Sequence, residues 1–490
     1  MTGITAIGAY LPRARLSRAA IADAMGWLTP GLPRKGSRTL GFWDEDATTM
    51  GVAAARTCLA QPGQVHAPAS LDFCTLTPPF AERQNASILH AALRLPVTCS
   101  TQESGTTARA SLIALHRQLV SDAPGLVIAA DRPVTSPGSA AEGRMGDGGA
   151  AIAVNTGPEL LSYLGGVSLT SAMTERYRAP GAPFATEWED RWVREEGWQT
   201  LAVAAIEAAL REANLAADAV DHLVLATTQP RLAGLVARTA GLNKARLADD
   251  LGAGIGDTAS AQGLMMLAAA VGTIRPGETV LLAGLGQGAT ALLFRATEDI
   301  KQARTGFSES RDAGLSETNY TKLLFFNGLL SWDPGQRGKT SVMEALTTAH
   351  RYSDALLSFT GGRCRETGAV QFPPSRISAN AQAALLDTQE PWPLADLGGR
   401  VASRTADTLA FSRTPPSCYG LVDFHGGGRL MMDFTDPDAP SIAIGDPVEF
   451  VFRVKDIDET TGFRRYFWKA VRAASADQTK GKEHADAERA

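Results

Sequence analysis

Two acidic residues, Glu103 and Asp257, stand at the start of predicted helices, Gly105–Leu119 and Thr258–Val271. A carboxylate in a largely apolar pocket has a raised pKa and can act as a general base or acid. Each acid also has a structural interpretation. Asp257 would cap its helix by accepting a backbone N–H, and Glu103 would be favoured by the helix dipole. Both therefore remain candidates for proton transfer.

The thiol nearest to Glu103 is that of Cys99, one of five cysteines in the chain. A thiolate is the usual nucleophile where an acyl group is transferred through the enzyme, but most free cysteines are small buried hydrophobic residues. The odd, scattered set of cysteines argues against a disulfide framework.

The elements that would position these residues occur twice in the first 300 residues. The first copy contains a helix at Ala47–Leu59, a strand at Leu71–Leu76 and a helix at Asn85–Leu93. The second copy contains a helix at Thr200–Ala213, a strand at His222–Ala226 and a helix at Leu232–Thr239. Each copy continues with a helix that opens on small residues and closes on a hairpin with a glycine-rich turn. The pattern predicts an α/β protein of two βαβαβαββ copies packed in five layers.

Four motifs carry a resemblance to a known family. They are Ile7-Gly-Ala-Tyr-Leu-Pro12, Phe42–Met50, the turn Gly146-Asp-Gly-Gly-Ala-Ala151 and the turn Gly256-Asp-Thr-Ala-Ser-Ala261. Over about residues 1–300 the chain resembles the condensing enzymes of the thiolase superfamily, above all 3-hydroxy-3-methylglutaryl-CoA synthase and ketoacyl-ACP synthase III. The resemblance implies a duplicated five-layer thiolase fold, coenzyme A as a substrate, an acyl-CoA or β-keto acid as its partner substrate, and a homodimer formed through this domain.

The catalytic positions that the resemblance implies carry unusual residues. Such enzymes place a cysteine at the start of a buried helix, and here Gln102 occupies that position, followed by Glu103. The expected histidine is replaced by Thr228, and the expected asparagine or histidine by Asp257. No acid stands at Thr77-Pro78-Pro79, where relatives of the synthase type carry a glutamate. The alternative is a remodelled loop in which Cys99 is the nucleophile.

Two arginines, Arg83 and Arg132, are candidates for contact with a phosphate of coenzyme A. Surface arginines outnumber those that bind ligands, so neither assignment follows from the sequence alone.

The C-terminal part has a different character, with short strands separated by glycine and proline after Ser358. The stretch Gly361–Pro374 resembles the ribbon of an acyl-CoA-associated OB-fold family, in which two Cys-x-x-Cys pairs normally hold zinc. Only Cys364 remains here, and Thr367 stands where its partner should be. One thiolate cannot complete a tetrahedral zinc site, so we expect no metal. The short strands indicate a small all-β barrel, which resembles an OB-fold.

Domain boundaries follow from these patterns. We expect thiolase-like halves at 1–160 and 161–305, a helical linker at 306–357, the ribbon and OB-fold at 358–472 and a disordered tail at 473–490. A net charge of −5 gives no reason to expect a nucleic-acid partner. No apolar stretch approaches the roughly 20 residues that span a bilayer, and the first residues read as a strand. We therefore expect a cytoplasmic protein without a membrane partner.

Two functions remain open from the sequence. The first is an acyltransferase that uses coenzyme A to form or cleave a C–C bond without a catalytic cysteine. It would act by retro-Claisen cleavage of a β-keto acid to acetyl-CoA, by aldol or Claisen condensation, or as a decarboxylase-type ketosynthase variant. The second is a non-catalytic thiolase-like scaffold that supports an active thiolase.

Overall fold

The computed structural model describes residues 3–61, 67–121, 123–227, 229, 231–333, 345–380 and 385–473. These residues form two compact units, Met1–Ser331 and Trp332–Ala490. The boundary falls inside the segment that we expected to be a linker, and the first part of that segment belongs to the first unit. The predicted tail lies, except for Ala473, outside the described residues.

The first copy of the repeat extends to Asn155. Its strands are β1 (Gly3–Tyr10), β2 (Ala14–Ser17), β3 (Ser37–Leu40), β4 (Ser70–Cys74), β5 (Ser100–Ser104), β6 (Gly125–Asp131) and β7 (Gly148–Asn155). Its helices are α1 (Arg18–Met25), α2 (Ala47–Leu59), α3 (Ala86–Ala92), α4 (Ala110–Val120) and α5 (Ala140–Arg144). Asp46 and Thr49 form a reciprocal capping box at the start of α2, which explains the sharp beginning of that helix.

The second copy follows directly. Its strands are β8 (Leu161–Thr170), β9 (Arg176–Tyr177), β10 (Thr186–Glu187), β11 (His222–Ala226), β12 (Arg246–Leu247), β13 (Thr279–Leu285) and β14 (Gly288–Ala296). Its helices are α6 (Asp190–Trp192), α7 (Thr200–Glu212), α8 (Leu232–Thr239) and α9 (Gln262–Ala270). The first unit ends with α10 (Phe307–Asp312), β15 (Leu315–Glu317) and α11 (Tyr320–Phe326). Strand β15 pairs in parallel with β2, which fixes this segment to the first unit.

The strand order confirms the predicted duplication. One ten-stranded sheet runs β12-β11-β13-β14-β8-β1-β7-β6-β4-β5, with β1 and β8 joining its two halves. Counted within each copy, the main strands follow the same order in both halves, third-second-fourth-fifth-first. Parallel pairs occur at β4–β5 and β4–β6 in the first copy and at β11–β12 and β11–β13 in the second. The carboxyl ends of these strands are therefore the places where functional turns should gather.

Helices α4 and α9 lie between the two half-sheets. Their apolar residues share one buried cluster with residues of β1, β7 and β13. The Ser111 hydroxyl on α4 donates to the Ser260 carbonyl at 2.5 Å, next to the start of α9. Helices α2 and α7 cover the outer faces, and small residues permit close packing there. A Cβ on Gly8 of β1, for example, would lie 2.2 Å from the Ala54 carbonyl oxygen of α2. These layers are the five that the sequence predicts.

The second unit contains a ribbon and a barrel. It begins with α12 (Leu346–Arg351) and α13 (Ser353–Leu357). The ribbon strands are β16 (Thr360–Cys364), β17 (Val370–Gln371) and β18 (Gln389–Pro393). The barrel strands are β19 (Gly399–Val401), β20 (Thr405–Asp407), β21 (Ser417–Phe424), β22 (Arg429–Asp433), β23 (Pro447–Ile457) and β24 (Arg464–Arg472). A bridge from Phe434 to Ala470 closes the barrel between β22 and β24, as expected for an OB-fold.

Within the part of the chain that the structure describes, we find no helix with both the length and the apolar character needed to cross a membrane.

Candidate functional site

The turn between β5 and α4 is where the sequence placed the lost nucleophile, and here the predicted boundaries were wrong. Strand β5 continues to Ser104 and α4 begins only at Ala110. Gln102 and Glu103 consequently lie in an edge strand that pairs in parallel with β4, and neither stands at the helix start. Five polar residues at a sheet edge have no alternation of apolar side chains, so their sequence resembles a loop.

Glu103 has a structural role that differs from the predicted one. Its two carboxylate oxygens accept the backbone N–H of Asn85, at 3.0 and 3.1 Å, just before α3 begins. The free N–H groups at a helix start favour such an acceptor. Glu103 therefore secures α3, whereas Gln102 is exposed on the strand.

Cys99 lies immediately before β5 and is 5 % exposed. The strand rises about 3.3 Å per residue, so Cys99 is roughly 20 Å from the turn that follows β5. Burial raises the pKa of its thiol. The structure thus does not bring Cys99 to the turn.

Hydroxyl groups occupy the turn itself. Thr106 is exposed and has a φ of 71°, a left-handed conformation that is uncommon for a β-branched residue. The Thr107 hydroxyl donates to the Gly286 carbonyl at 2.9 Å. The turn at Gly286 and Gln287, between β13 and β14, therefore meets the β5–α4 turn, one from each copy of the repeat. Neither threonine was predicted from the sequence, because the predicted helix start lay too early.

A buried arginine, Arg109, holds these two turns together. Its Nε donates to the Gly286 carbonyl at 2.6 Å and its Nη2 to the Gln287 carbonyl at 2.9 Å. Its Nη1 donates to the hydroxyls of Ser168 and Thr290, at 2.9 and 3.0 Å. Burial lowers the pKa of Arg109, and the nearby Glu175 carboxylate opposes that shift. The sequence analysis missed Arg109 because its partners are 59 to 181 residues away.

Asp257 lies in the turn before α9, as predicted. Its side chain accepts the Ala259 N–H at 2.7 Å, two residues further on. Helix α9 begins only at Gln262, later than predicted, so Asp257 stabilises the turn and does not cap that helix as expected. Its backbone N–H donates to the Arg144 carbonyl at 2.9 Å, and its own carbonyl accepts the Gly146 N–H at 2.8 Å. Burial raises the pKa of Asp257 to about 6, against the opposing charges of Arg144 and Arg176. A carboxyl group with this pKa exchanges protons readily near neutral pH.

Asp131, at the end of β6, is a buried acid that the sequence analysis did not identify. One oxygen accepts the hydroxyls of Thr75 and Thr77, both at 2.9 Å. The other accepts the Ser260 hydroxyl at 2.6 Å and the Ser260 N–H at 2.9 Å. Burial raises its pKa, and these hydrogen bonds oppose the shift. All of its close contacts are hydrogen bonds within the fold, so Asp131 positions the turn that carries Asp257.

The turn after β11 was expected to contribute Thr228, which lies outside the described residues. Its neighbour Gln229 is described and buried. The Gln229 side-chain amide donates to the Asp190 carboxylate at the start of α6.

The segment 174–190, which joins β8 to α7 through β9 and β10, contacts three of these turns. Glu175 accepts the Gln287 side-chain amide at 2.7 Å. Glu187 accepts two hydrogen bonds from Arg144 Nη2, each 2.5 Å. Together with the hydrogen bond from Gln229 to Asp190, these contacts hold the segment against three turns, of which the one at Arg144 also binds Asp257.

Of the two arginines proposed to contact a phosphate, Arg132 is bound within the fold and Arg83 lies on the surface. Arg132 donates to the carbonyls of Phe42 and Phe326, both at 3.0 Å, and to the Asn327 side chain at 3.2 Å. Arg83 is exposed, and its guanidinium carbon lies 4.9 Å from the centroid of the Phe80 ring.

In the ribbon, Cys364 is buried and its sulfur lies 3.2 Å from the Thr388 hydroxyl. The described residues contain no group of three or more His, Cys, Asp or Glu residues that could hold a metal ion.

Two segments of the chain match known families. Residues 210–295 match the family described as 3-oxoacyl-(acyl-carrier-protein) synthase III C terminal. Residues 392–453 match the family described as ChsH2, C-terminal OB-fold domain.

Individual relatives agree with these matches. The hydroxymethylglutaryl-CoA synthase of Picrophilus torridus is 25 % identical over 61 % of this chain and 87 % of its own length. The protein of the same name from Methanopyrus kandleri is 26 % identical over 62 % of this chain and 89 % of its own length.

Solved structures show the same fold. The 3-oxoacyl-(acyl carrier protein) synthase III FabH from Pseudomonas aeruginosa covers 60 % of this chain and 98 % of its own, with 20 % identity and a TM-score of 0.53. An HMG-CoA synthase complexed with CoA covers 70 % of this chain and 94 % of its own, with 15 % identity and a TM-score of 0.57.

The chain therefore combines the fold of the thiolase-like condensing enzymes with a C-terminal OB-fold domain. The two relatives described above are named as hydroxymethylglutaryl-CoA synthases.

Proposed function

We propose that this protein is an acyltransferase that uses coenzyme A as a substrate and forms or cleaves a C–C bond beside a carbonyl group by acid–base chemistry. The proposal rests on the carboxyl group of Asp257, whose pKa is raised to about 6. Asp257 lies in the turn before α9, where its backbone binds Arg144 of the first copy of the repeat. The relatives named hydroxymethylglutaryl-CoA synthase and the related fold solved with CoA support coenzyme A as the substrate.

The absence of a thiol from the β5–α4 turn favours chemistry without an acyl-enzyme. All five cysteines are free and buried. In the retro-Claisen direction, Asp257 takes the proton of the CoA thiol, and the thiolate attacks the β-keto carbon of a β-keto acid. The C2–C3 bond then breaks, and the proton on Asp257 passes to the carbon that leaves as an enolate. Acetoacetate and CoA would give acetyl-CoA and acetate, with no external oxidant or reductant.

The glycine-rich turn has a role in this proposal. Arg109 and Thr107 direct hydrogen bonds to the Gly286 carbonyl, which fixes the Gly286–Gly288 backbone. The N–H groups of Gly286 and Gln287 are themselves bound, to the Gly288 carbonyl at 3.1 Å and to the Glu175 carboxylate at 3.3 Å, so this turn supports the site as a fixed element. Claisen condensation is the reverse reaction and uses the same groups. In an aldol condensation, Asp257 would take the proton from the carbon that forms the new bond.

The test is turnover of purified protein with CoA and a panel of β-keto acids, with acyl-CoA products followed by mass spectrometry. We expect product with at least one acid, and a loss of about a hundredfold or more in Asp257→Asn. Asp218→Asn, an exposed aspartate paired with Lys244 at 3.1 Å, is the matched control and should keep full activity.

The scaffold function is the second candidate, supported by the same absence of a thiol at the β5–α4 turn. It predicts no turnover by the purified chain, and formation of a complex with a thiolase that carries a cysteine. Turnover that depends on Asp257 in the isolated protein would exclude it.

A further inference from the structure

Arg144 is the last residue of α5, and its backbone is joined to Asp257. The Asp257 N–H donates to the Arg144 carbonyl, as described above. Gly256, the residue before Asp257, has a φ of 94°, and a Cβ there would lie 2.9 Å from the same carbonyl oxygen. Glycine is thus needed for the close approach. The Arg144 guanidinium acts electrostatically on the Asp257 carboxyl group, so the two side chains belong to one site.

The hydrogen bonds of Arg144 are incomplete. Its Nη2 is bound to both oxygens of Glu187. Its Nε is buried and has no hydrogen-bond partner among the described residues. A guanidinium has five N–H donors arranged to match a carboxylate, and a buried donor without an acceptor is unfavourable. The Nε–H of Arg144 is therefore a donor that could bind an oxygen atom of a ligand.

Glu187 is a replaceable internal partner. It lies on the two-residue strand β10, and its side chain is 39 % exposed. Directly opposite, on β9, is Arg176, which also acts electrostatically on Asp257. Two arginines thus face the region around Asp257, and one of them is held by a partly exposed carboxylate. A carboxylate from a ligand has the same charge and geometry as Glu187 and can take its place.

We propose that Arg144 is a substrate-binding residue that recognises a free carboxylate at the reacting end of the substrate, in exchange for Glu187. This inference rests on the proposed function and narrows its substrate class. The substrate is then a β-keto acid with a second carboxylate on the part that becomes the acyl group of the acyl-CoA, and not one whose acyl part is purely apolar.

The test compares the binding of succinyl-CoA and butyryl-CoA by calorimetry. The two thioesters share the same coenzyme and acyl length, so a preference can come only from the terminal carboxylate and not from the phosphates of CoA. We expect the wild-type protein to bind succinyl-CoA about tenfold more tightly. Arg144→Gln should abolish this preference and leave the affinity for butyryl-CoA unchanged.

Glu187→Gln separates substrate binding from a structural ion pair. If Arg144 receives the substrate carboxylate, removal of its internal partner raises the affinity for succinyl-CoA, whereas Arg144→Gln lowers it. If the pair only holds β10 in place, the two variants change affinity in the same direction. Arg34→Gln is the matched control, because Arg34 forms an exposed ion pair with Asp23 in the same unit. Melting temperatures of all variants verify that they are folded.

Three results would overturn the inference. Equal affinity of the wild-type protein for the two thioesters would refute it and leave the proposed function intact. Parallel effects of Arg144→Gln and Glu187→Gln would refute it in the same way. Failure of both thioesters to bind would refute the use of coenzyme A, and this inference with it.

Discussion

The Asp131 carboxylate on β6 accepts the Ser260 hydroxyl at 2.6 Å, across 129 residues of sequence, and so joins the first copy of the repeat to the second. The other oxygen of Asp131 is bound by the turn after β4. One buried carboxylate therefore fixes two turns beside the turn of Asp257. O–H and N–H groups of the neighbouring turns donate to both oxygens of Asp131. The side chain at this position therefore needs two acceptor oxygens.

Asp131→Asn should therefore destabilise the first unit. The amide NH₂ would face donors in place of an acceptor, and we expect a loss of about 3 kcal/mol in the free energy of unfolding. Chemical denaturation followed by circular dichroism measures this loss. The exposed Asp218→Asn should cost less than about 0.5 kcal/mol. A similar, small effect of both variants would contradict the role given to Asp131.

Arg109→Met should destabilise the protein by about 3 kcal/mol, because four acceptors on Gly286, Gln287, Ser168 and Thr290 lose their donor. In the same unit, Arg34 forms an ion pair with Asp23, and both side chains are well exposed, at 60 % and 64 %. Arg34→Met is the matched control and should cost about 1 kcal/mol or less. Equal losses in the two variants would show that the buried hydrogen bonds of Arg109 have no special importance.

The stability of the protein should depend on the protonation of Asp257. Burial raises its pKa from 3.8 to about 6, so the folded state binds this proton more tightly than the unfolded state. The resulting stabilisation is fully present below about pH 4 and is lost as the pH rises through about 6. Relative to Asp257→Asn, the wild-type free energy of unfolding should fall by about 2 kcal/mol between pH 4 and pH 7. Parallel pH curves for the two proteins would contradict the raised pKa.

Glu175→Ala should loosen the segment 174–190. Glu175 binds the Gln287 side chain, and its carbonyl accepts the Trp188 N–H at 2.9 Å. Loss of the side-chain contact should speed tryptic cleavage after Arg176 and Arg178 several-fold, since proteases cut chain segments that open locally. Glu207→Ala on α7 is the control. Unchanged cleavage in Glu175→Ala would show that other contacts hold the segment.

The sequence predicted the fold well because its signals are local. Helices α2 and α8 and strand β11 begin and end where the sequence places them, at Ala47–Leu59, Leu232–Thr239 and His222–Ala226. Their apolar patterns and the repeated order of elements identified the two copies without any knowledge of contacts. A small barrel was likewise expected from the short strands separated by glycine and proline, and the OB-fold from resemblance to a known family.

The site was predicted less well because its contacts are distant in sequence. Arg109 and Gly286 are 177 residues apart, and no local pattern links them. Nothing in the sequence distinguishes Arg144 from other arginines at helix ends, because its contacts with Asp257 and Glu187 are distant in sequence. Strand β5 was not predicted because its five residues are all polar. The predicted helix start was therefore too early, and Gln102 and Glu103 do not lie at the start of a helix.

The central claim is that Asp257, and not a cysteine, carries out the proton transfers. It is tested most directly by the pH dependence of kcat/KM for C–C cleavage in the wild-type protein, Cys99→Ser and Asp257→Asn. We predict that the wild type and Cys99→Ser share activity that rises through a pKa of about 6, and that Asp257→Asn loses this activity at every pH. Full activity in Asp257→Asn, or its loss in Cys99→Ser, would contradict the claim.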